Sequence, residues 1–184
     1  MSLETPRASQ TVIYTIGHSD HRPDRLVKLL VDHQIQLIVD VRSHPGSRRV
    51  PHANASSLRA LFGVAGMQYL PMGHRLGGRP TDPSCYDRET GKPDYGAMQH
   101  TPSFREGLAQ LVGMASTKRV CIMCAEEDPA RCHRMLLIGM ALQRMGLGVT
   151  HIRGDGAAQP TQELETKQLR ARSAQLALPI QGAE

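Results

Sequence analysis

The sequence predicts an α/β fold of three layers, a mostly parallel sheet with helices on both faces in the Rossmann-like, doubly wound manner. Two observations carry this. Short β-branched or apolar runs alternate along the chain with segments whose apolar residues recur at helical spacing. Strands that alternate with helices need crossover connections, and crossovers bring the strands parallel. At 184 residues the chain is long enough to bury a core as one domain, expected over residues 12–153.

Taken in order, residues 1–11 are polar, without the apolar stretch of a secretory signal, and are expected to be a disordered lead-in. Thr11–Ile16 (TVIYTI) reads as a buried strand that stops at Gly17-His18-Ser19. Pro23 suits the first turn of a helix running to Gln34, with Leu26, Leu29, Leu30 and Ile35 at helical spacing. Gln36–Val41 (QLIVDV) is a second strand, ending at Arg42-Ser43-His44-Pro45. Asn54 or Ser56 would cap a short helix through Leu58, Leu61 and Phe62, ended by Gly63 or Gly66. Gln68–Leu70 is a short third strand.

From Pro71 to Pro102 no periodicity is visible, and Gly and Pro recur, so residues 71–102 are expected to form a long loop acting as a lid. Thr101-Pro102-Ser103 then opens a helix through Phe104, Leu108, Leu111, Val112 and Ala115. Arg119–Cys124 (RVCIMC) is a strand. Asp128-Pro129 has the same cap-plus-proline grammar and should start a buried helix containing Leu136, Leu137, Ile138, Met140, Ala141, Leu142 and Met145. Gly146 and Gly148 end it, and Val149–Ile152 is the last strand. Residues 154–184 read as a polar extension, partly helical over Glu163–Leu176.

Composition narrows the function classes. No apolar run is long enough to span a membrane, and none is expected to be a partner. Four cysteines without a secretory signal point to reduced thiols in a cytoplasm rather than a disulfide framework. The net charge of +5 fits an anionic partner, a small molecule or nucleic acid, although the same charge also serves solubility. With no Trp, two Phe and four Tyr, there is little material for a base-stacking track.

In open α/β sheets ligands bind beyond the carboxyl ends of the strands. That edge should gather Gly17-His18-Ser19, Asp40-Val41-Arg42-Ser43 and Cys124-Ala125-Glu126-Glu127-Asp128. The densest cluster runs from Cys124 to Arg134. With Asp128 as cap, Cys132, His133 and Arg134 would lie in the second helical turn, and the amides of residues 127–131 would face an anion. Thiols near a helix start and near Arg131, Arg134 or His133 have a lowered pKa, which makes Cys124 and Cys132 candidate nucleophiles. The competing reading is core cysteine. A metal site of Cys124, Cys132 and a histidine (His18, His133 or His151) is a further possibility, whereas Cys121-x-x-Cys124 is discounted because strand side chains three apart face opposite ways.

Asp40 and Arg42 share a strand face, as an ion pair, as a support for His18 or as substrate ligands. Arg42, Arg48 and Arg49 form a basic loop suited to carboxylate or phosphate, or simply solvated. His74-Arg75-Leu76-Gly77-Gly78-Arg79 opens the long loop, where the paired glycines allow close backbone approach. His21, His33, His44, His52 and His100 are read as surface residues.

Together, Thr15-Ile16-Gly17-His18-Ser19, Val39-Asp40-Val41-Arg42 with Pro45 and Ser47, Leu76-Gly77-Gly78, Cys124-Ala125-Glu126 and Cys132-His133-Arg134 resemble the domain of unknown function 488 family. The order and spacing match over about residues 12–153. The family's description names no reaction, so the resemblance implies site positions alone: His18, Ser19, Asp40, Arg42, Glu126, Cys132, His133 and Arg134. Cys121 falls outside the pattern.

The leading expectation is an enzyme for an anionic, phosphate-bearing substrate. Arg42 and Arg134 would hold the anion with Ser19, Asp40, Gly77 and Gly78 around it. Cys124 or Cys132 would act as nucleophile or redox group, and His18, Glu126 or His133 would move protons. The rivals are a non-enzymatic binder of nucleic acid or a partner, with structural cysteines, and a zinc or iron protein. No cofactor is indicated by a motif.

Overall fold

β-Branched and apolar runs form a sheet here because each can bury both faces under helices. The computed structural model describes residues 11–46, 50–164 and 166. Its strands are β1 (Val12–Gly17), β2 (Leu37–Asp40), β3 (Gln68–Pro71), β4 (Val120–Cys124), β5 (Gly148–Ile152) and β6 (Ala158–Pro160). They lie in the order β3-β2-β4-β1-β5-β6. All neighbours pair parallel except β5 and β6, which are antiparallel. The three-layer α/β expectation is therefore met, with one strand, β6, that the sequence reading assigned to the polar extension.

Alternate side chains separate into two cores. Ile16, Ile38, Cys121 and Met123 pack with Leu26, Leu29 and Leu30 of α1 (Pro23–Asp32) and with Leu58 and Phe62 of α2 (Ala55–Val64). Ile13, Val39, Ile122 and Cys124 face the other way. They meet α3 (Gly73–Leu76), α4 (Tyr95–His100), α5 (Pro102–Ala115) and a helix over residues 133–144. The first six residues of that helix after His133, Arg134–Gly139, have π-helical hydrogen bonding. Cys121 and Cys124 thus lie on opposite faces, as strand geometry requires.

The chain runs outward from β1 through β2 to β3, then returns to insert β4 between β2 and β1. The loops after β1 and β4 leave toward opposite helical layers, which opens a crevice where ligands bind in such sheets. Gly17 is paired with Cys124 and Asp40 with Met123, so the three strands end level. The loops after β1 and β4 touch backbone to backbone, and so do the start of α3 and the loop after β2. A Cβ on Gly17 would stand 1.9 Å from the Glu126 carbonyl oxygen, and one on Gly73 would stand 1.8 Å from that of Arg42.

Two expectations are corrected. Residues 71–102 are not a structureless loop. They hold α3, a 3₁₀ turn at Pro83–Cys85, a bridge between Tyr86 and Pro93, and α4, with Leu76, Cys85 and Met98 buried. Aspartates organise them: Asp82 accepts from the Ser84 amide, Asp87 from that of Thr90 and Asp94 from that of Ala97. Elements this short complete too few turns to show a period. Second, Asp128 caps only a 3₁₀ turn, Pro129–Arg131. The chain is extended again at Cys132 (φ −121°, ψ 141°) before the long helix begins at His133.

Candidate functional site

Cys132 occupies the N-cap position of the 133–144 helix, and its Sγ accepts from the Arg134 amide at 3.5 Å. It is therefore at the start of the helix rather than in a second turn, and it caps that helix itself, its sulfur accepting from the Arg134 amide and its carbonyl from those of Met135 and Leu136. The cap turns the Cys132 thiol back toward Cys124 at the end of β4. Glu126 Oε2 lies 2.9 Å from Cys124 Sγ and 3.1 Å from Cys132 Sγ. His133 Nδ1 lies 3.6 Å and 3.9 Å from the same two sulfurs. The ligand atoms of Cys124, Cys132 and His133 all fall within 4.8 Å of one another.

The His133 tautomer follows from its other nitrogen. Nε2 is 3.0 Å from the Val41 carbonyl oxygen, which can only accept, so Nε2 carries the proton. Nδ1 then presents a lone pair to the thiols. Gly78 packs against this ring: a Cβ there would be 2.7 Å from His133 Cγ and 3.0 Å from Nδ1. Gly77 lies as close to Ser43, whose hydroxyl accepts from the Arg79 amide.

The cluster is rich in acidic groups. Cys132 is drawn below the usual thiol range, first by the hydrogen bond from Cys124 and then, against its burial, by His133 and Arg134. Cys124 is pushed up by its bond to Cys132, by burial and by Glu126. Burial opposes ionisation of Glu126, yet the two thiol hydrogen bonds outweigh it and hold its carboxyl at about 2. A carboxylate and two thiol groups therefore share one small volume.

Arg134 does not reach that volume from the front. It is fully buried, and its guanidinium donates to the carbonyls of Glu126 and of Glu127 (2.6 Å) and to Thr15 Oγ1 (3.3 Å). It shapes the 126–127 loop instead of gripping an anion in the crevice. Behind it, His151 bonds Thr15 and Thr161 at 2.8 Å and 3.1 Å. Burial, aided by Arg134, lowers the His151 pKa to about 3.

His18 and Asp40 form a second, adjoining network. The Arg42 guanidinium is bidentate on Asp40 (2.9 Å and 2.6 Å) and donates to His18 Nε2 at 2.9 Å, while Tyr69 donates to Asp40 at 2.6 Å. His18 Nδ1 lies 2.9 Å from the Ser19 carbonyl. Burial and the neighbouring Arg42 both lower the His18 pKa, in keeping with a neutral ring that accepts from arginine. Ser19 itself has φ 44°, unusual outside glycine, and turns the chain away after β1.

In front of the cysteines is a cavity of about 450 Å³, lined by Arg42, Ser43, His44, Gly78, Arg79, Tyr95 and Arg131 together with the cluster. Arg79 and Arg131 are exposed, and neither is paired with a carboxylate among the described residues. The sequence analysis names Ser43 at this edge and Arg79 in the long loop without assigning either to the site, and does not single out Tyr95; His44, expected at the surface, is exposed and lines the same cavity. His44 follows a strand end by four residues, and that position was the available signal. Arg48 and Arg49 lie outside the described residues. His21, by contrast, departs from the surface reading, lying largely buried 3.6 Å from Glu127.

The family described as domain of unknown function DUF488 matches residues 22–141. No curated protein and no solved structure matches the chain. Among the described residues no helix is long and apolar enough to cross a membrane.

Proposed function

This chain belongs to the DUF488 family, whose description names no reaction, so the function must come from the site, and we propose a metal-dependent enzyme for an anionic substrate, with zinc held by Cys124, Cys132 and His133. One observation carries the reading. Zinc bonds of about 2.3 Å to sulfur and about 2.05 Å to nitrogen, set tetrahedrally, separate sulfur from nitrogen by about 3.6 Å. The two sulfur–nitrogen distances here are 3.6 Å and 3.9 Å. The support behind the ligand is also of the metal-site kind, since His133 gives its second nitrogen's proton to a backbone carbonyl.

Glu126 is closer to both sulfurs than the roughly 3.5 Å that a fourth oxygen ligand in the same tetrahedron would have. It lies beside the set rather than completing it. Three protein donors with a remaining position toward a cavity is the composition of a catalytic rather than a structural centre. Arg79 and Arg131, without a carboxylate partner among the described residues, favour a negatively charged substrate there. Arg42, already neutralised by Asp40, contributes donors more than charge.

The test is metal analysis of protein purified under reducing conditions without added metal. Near-stoichiometric zinc is expected in the wild type, and loss of most of it in Cys124→Ser, Cys132→Ser and His133→Ala. A metal-free wild type that also fails to take up zinc at micromolar concentration would sink the proposal. The second reading, a nucleophilic Cys132 thiolate, draws on the Arg134 amide at its sulfur and its lowered pKa. It predicts that metal-free protein is alkylated at Cys132 near neutral pH well before its other cysteines. The non-enzymatic alternative predicts salt-sensitive binding to DNA or RNA that survives Cys124→Ser and Cys132→Ser.

A further inference from the structure

A second cavity, of about 750 Å³, opens beside the first and is formed by the 71–102 segment with the start of α5. Its wall includes the side chains of Pro80, Cys85, Tyr86, Met98, Pro102 and Phe104. The two cavities share Ser43, His44 and Arg79. That shared wall is where cationic and apolar surfaces meet. The wall is a built one: the Arg79 amide donates to Ser43 Oγ at 3.0 Å, and the Tyr86 hydroxyl donates to the Pro80 carbonyl at 2.9 Å.

Resting on the reading of the first cavity as an anion site, we infer that the substrate is an amphiphilic organic anion. Its phosphate or carboxylate lies between Arg79 and Arg131 near the cysteines, and its apolar body fills the second cavity. Inorganic phosphate would leave the larger space unused. A nucleic-acid strand would bring repeated charge to a chamber whose exposed wall is mostly apolar surface and includes Asp82, where only Arg79, Arg75 and the histidines could answer it. The chemistry of the wall thus selects one charged end and one apolar end.

The test compares methyl phosphate with 1-naphthyl phosphate by titration calorimetry on zinc-supplemented full-length protein, with bound metal measured on the same samples. At least tenfold tighter binding of 1-naphthyl phosphate is expected. Met98→Trp, which fills the second cavity, should reduce that preference to below threefold, with circular dichroism confirming the fold. The wild-type comparison stands even where that variant does not fold. Equal affinity for the two phosphates, or a short DNA strand binding more tightly than 1-naphthyl phosphate, overturns the inference. Naphthyl preference in protein that holds no metal supports the two-part substrate and removes the zinc reading alone. Bound zinc without the preference does the reverse.

Discussion

Replacing Arg134 with methionine removes the charge from a fully buried position while keeping much of the side chain's length. The guanidinium makes three hydrogen bonds, to the Glu126 and Glu127 carbonyls and to Thr15. Bonds to a charged donor contribute about 1.5–3 kcal/mol each. The two carbonyl bonds therefore contribute about 3–6 kcal/mol, and the longer one to Thr15 adds little. Relief of the cost of burying the charge works in the opposite direction. A net loss of about 3–4 kcal/mol is expected, a large part of the 5–15 kcal/mol typical of a domain. With a urea slope of about 2 kcal/mol per molar, the unfolding midpoint should fall by roughly 1.5–2 M. Arg134→Lys keeps the charge but reaches one acceptor at a time, and should fall between. Urea titration followed by circular dichroism measures both. A methionine variant whose midpoint moves by less than about 0.5 M would refute the account, since Arg134 would then not be what holds the 126–127 loop.

The remaining predictions concern the centre and its supports. Gly78→Ala drives a Cβ into the His133 ring, so zinc affinity measured by chelator competition should drop about tenfold or more while the fold persists. Cys121→Ala, on the opposite sheet face, should keep its full metal content and cost only about 1 kcal/mol in denaturant unfolding. His151 has a folded pKa of about 3, well under its ordinary 6.5. Its contribution is therefore complete above about pH 6.5 and is lost as the pH falls toward 3, at up to about 1.4 kcal/mol per pH unit. Denaturation curves at several acidic pH values should show a shallower decline in His151→Gln than in wild type, and parallel declines would contradict this.

The parallel core was legible because TVIYTI, LIVD and VCIMC are dense in β-branched and apolar residues, and the intervening helices carry leucines at clear spacing. β6 was not legible: Ala-Gln-Pro has no strand composition, and it pairs because β5 offers an open edge. The bounds of the candidate site could be approached from strand ends, which brought in His18, Arg42, Cys124 and Glu126. Arg134 was misjudged because sequence marks an arginine as cationic and does not tell whether its charge faces solvent or three backbone and hydroxyl oxygens. The start of the last helix was misplaced because Asp128-Pro129 is a sound capping pair, yet Cys132 supplies a second cap four residues after Asp128. Arg79 and Tyr95 were beyond reach because only the folded 71–102 segment brings them to the crevice.

The close backbone contacts at Gly17 and Gly73 divide the site into parts with unequal tolerance for redesign. The loops after β1 and β4 meet at Gly17, and the start of α3 meets the loop after β2 at Gly73, in both cases without room for a side chain between them, so changes at Gly17 would shift the loop that follows Cys124. The 79–94 stretch is held by aspartate turns and one tyrosine hydroxyl. Libraries meant to retarget the protein to a new ligand should therefore be confined to that stretch, with residues 17, 73, 77 and 78 left as glycine.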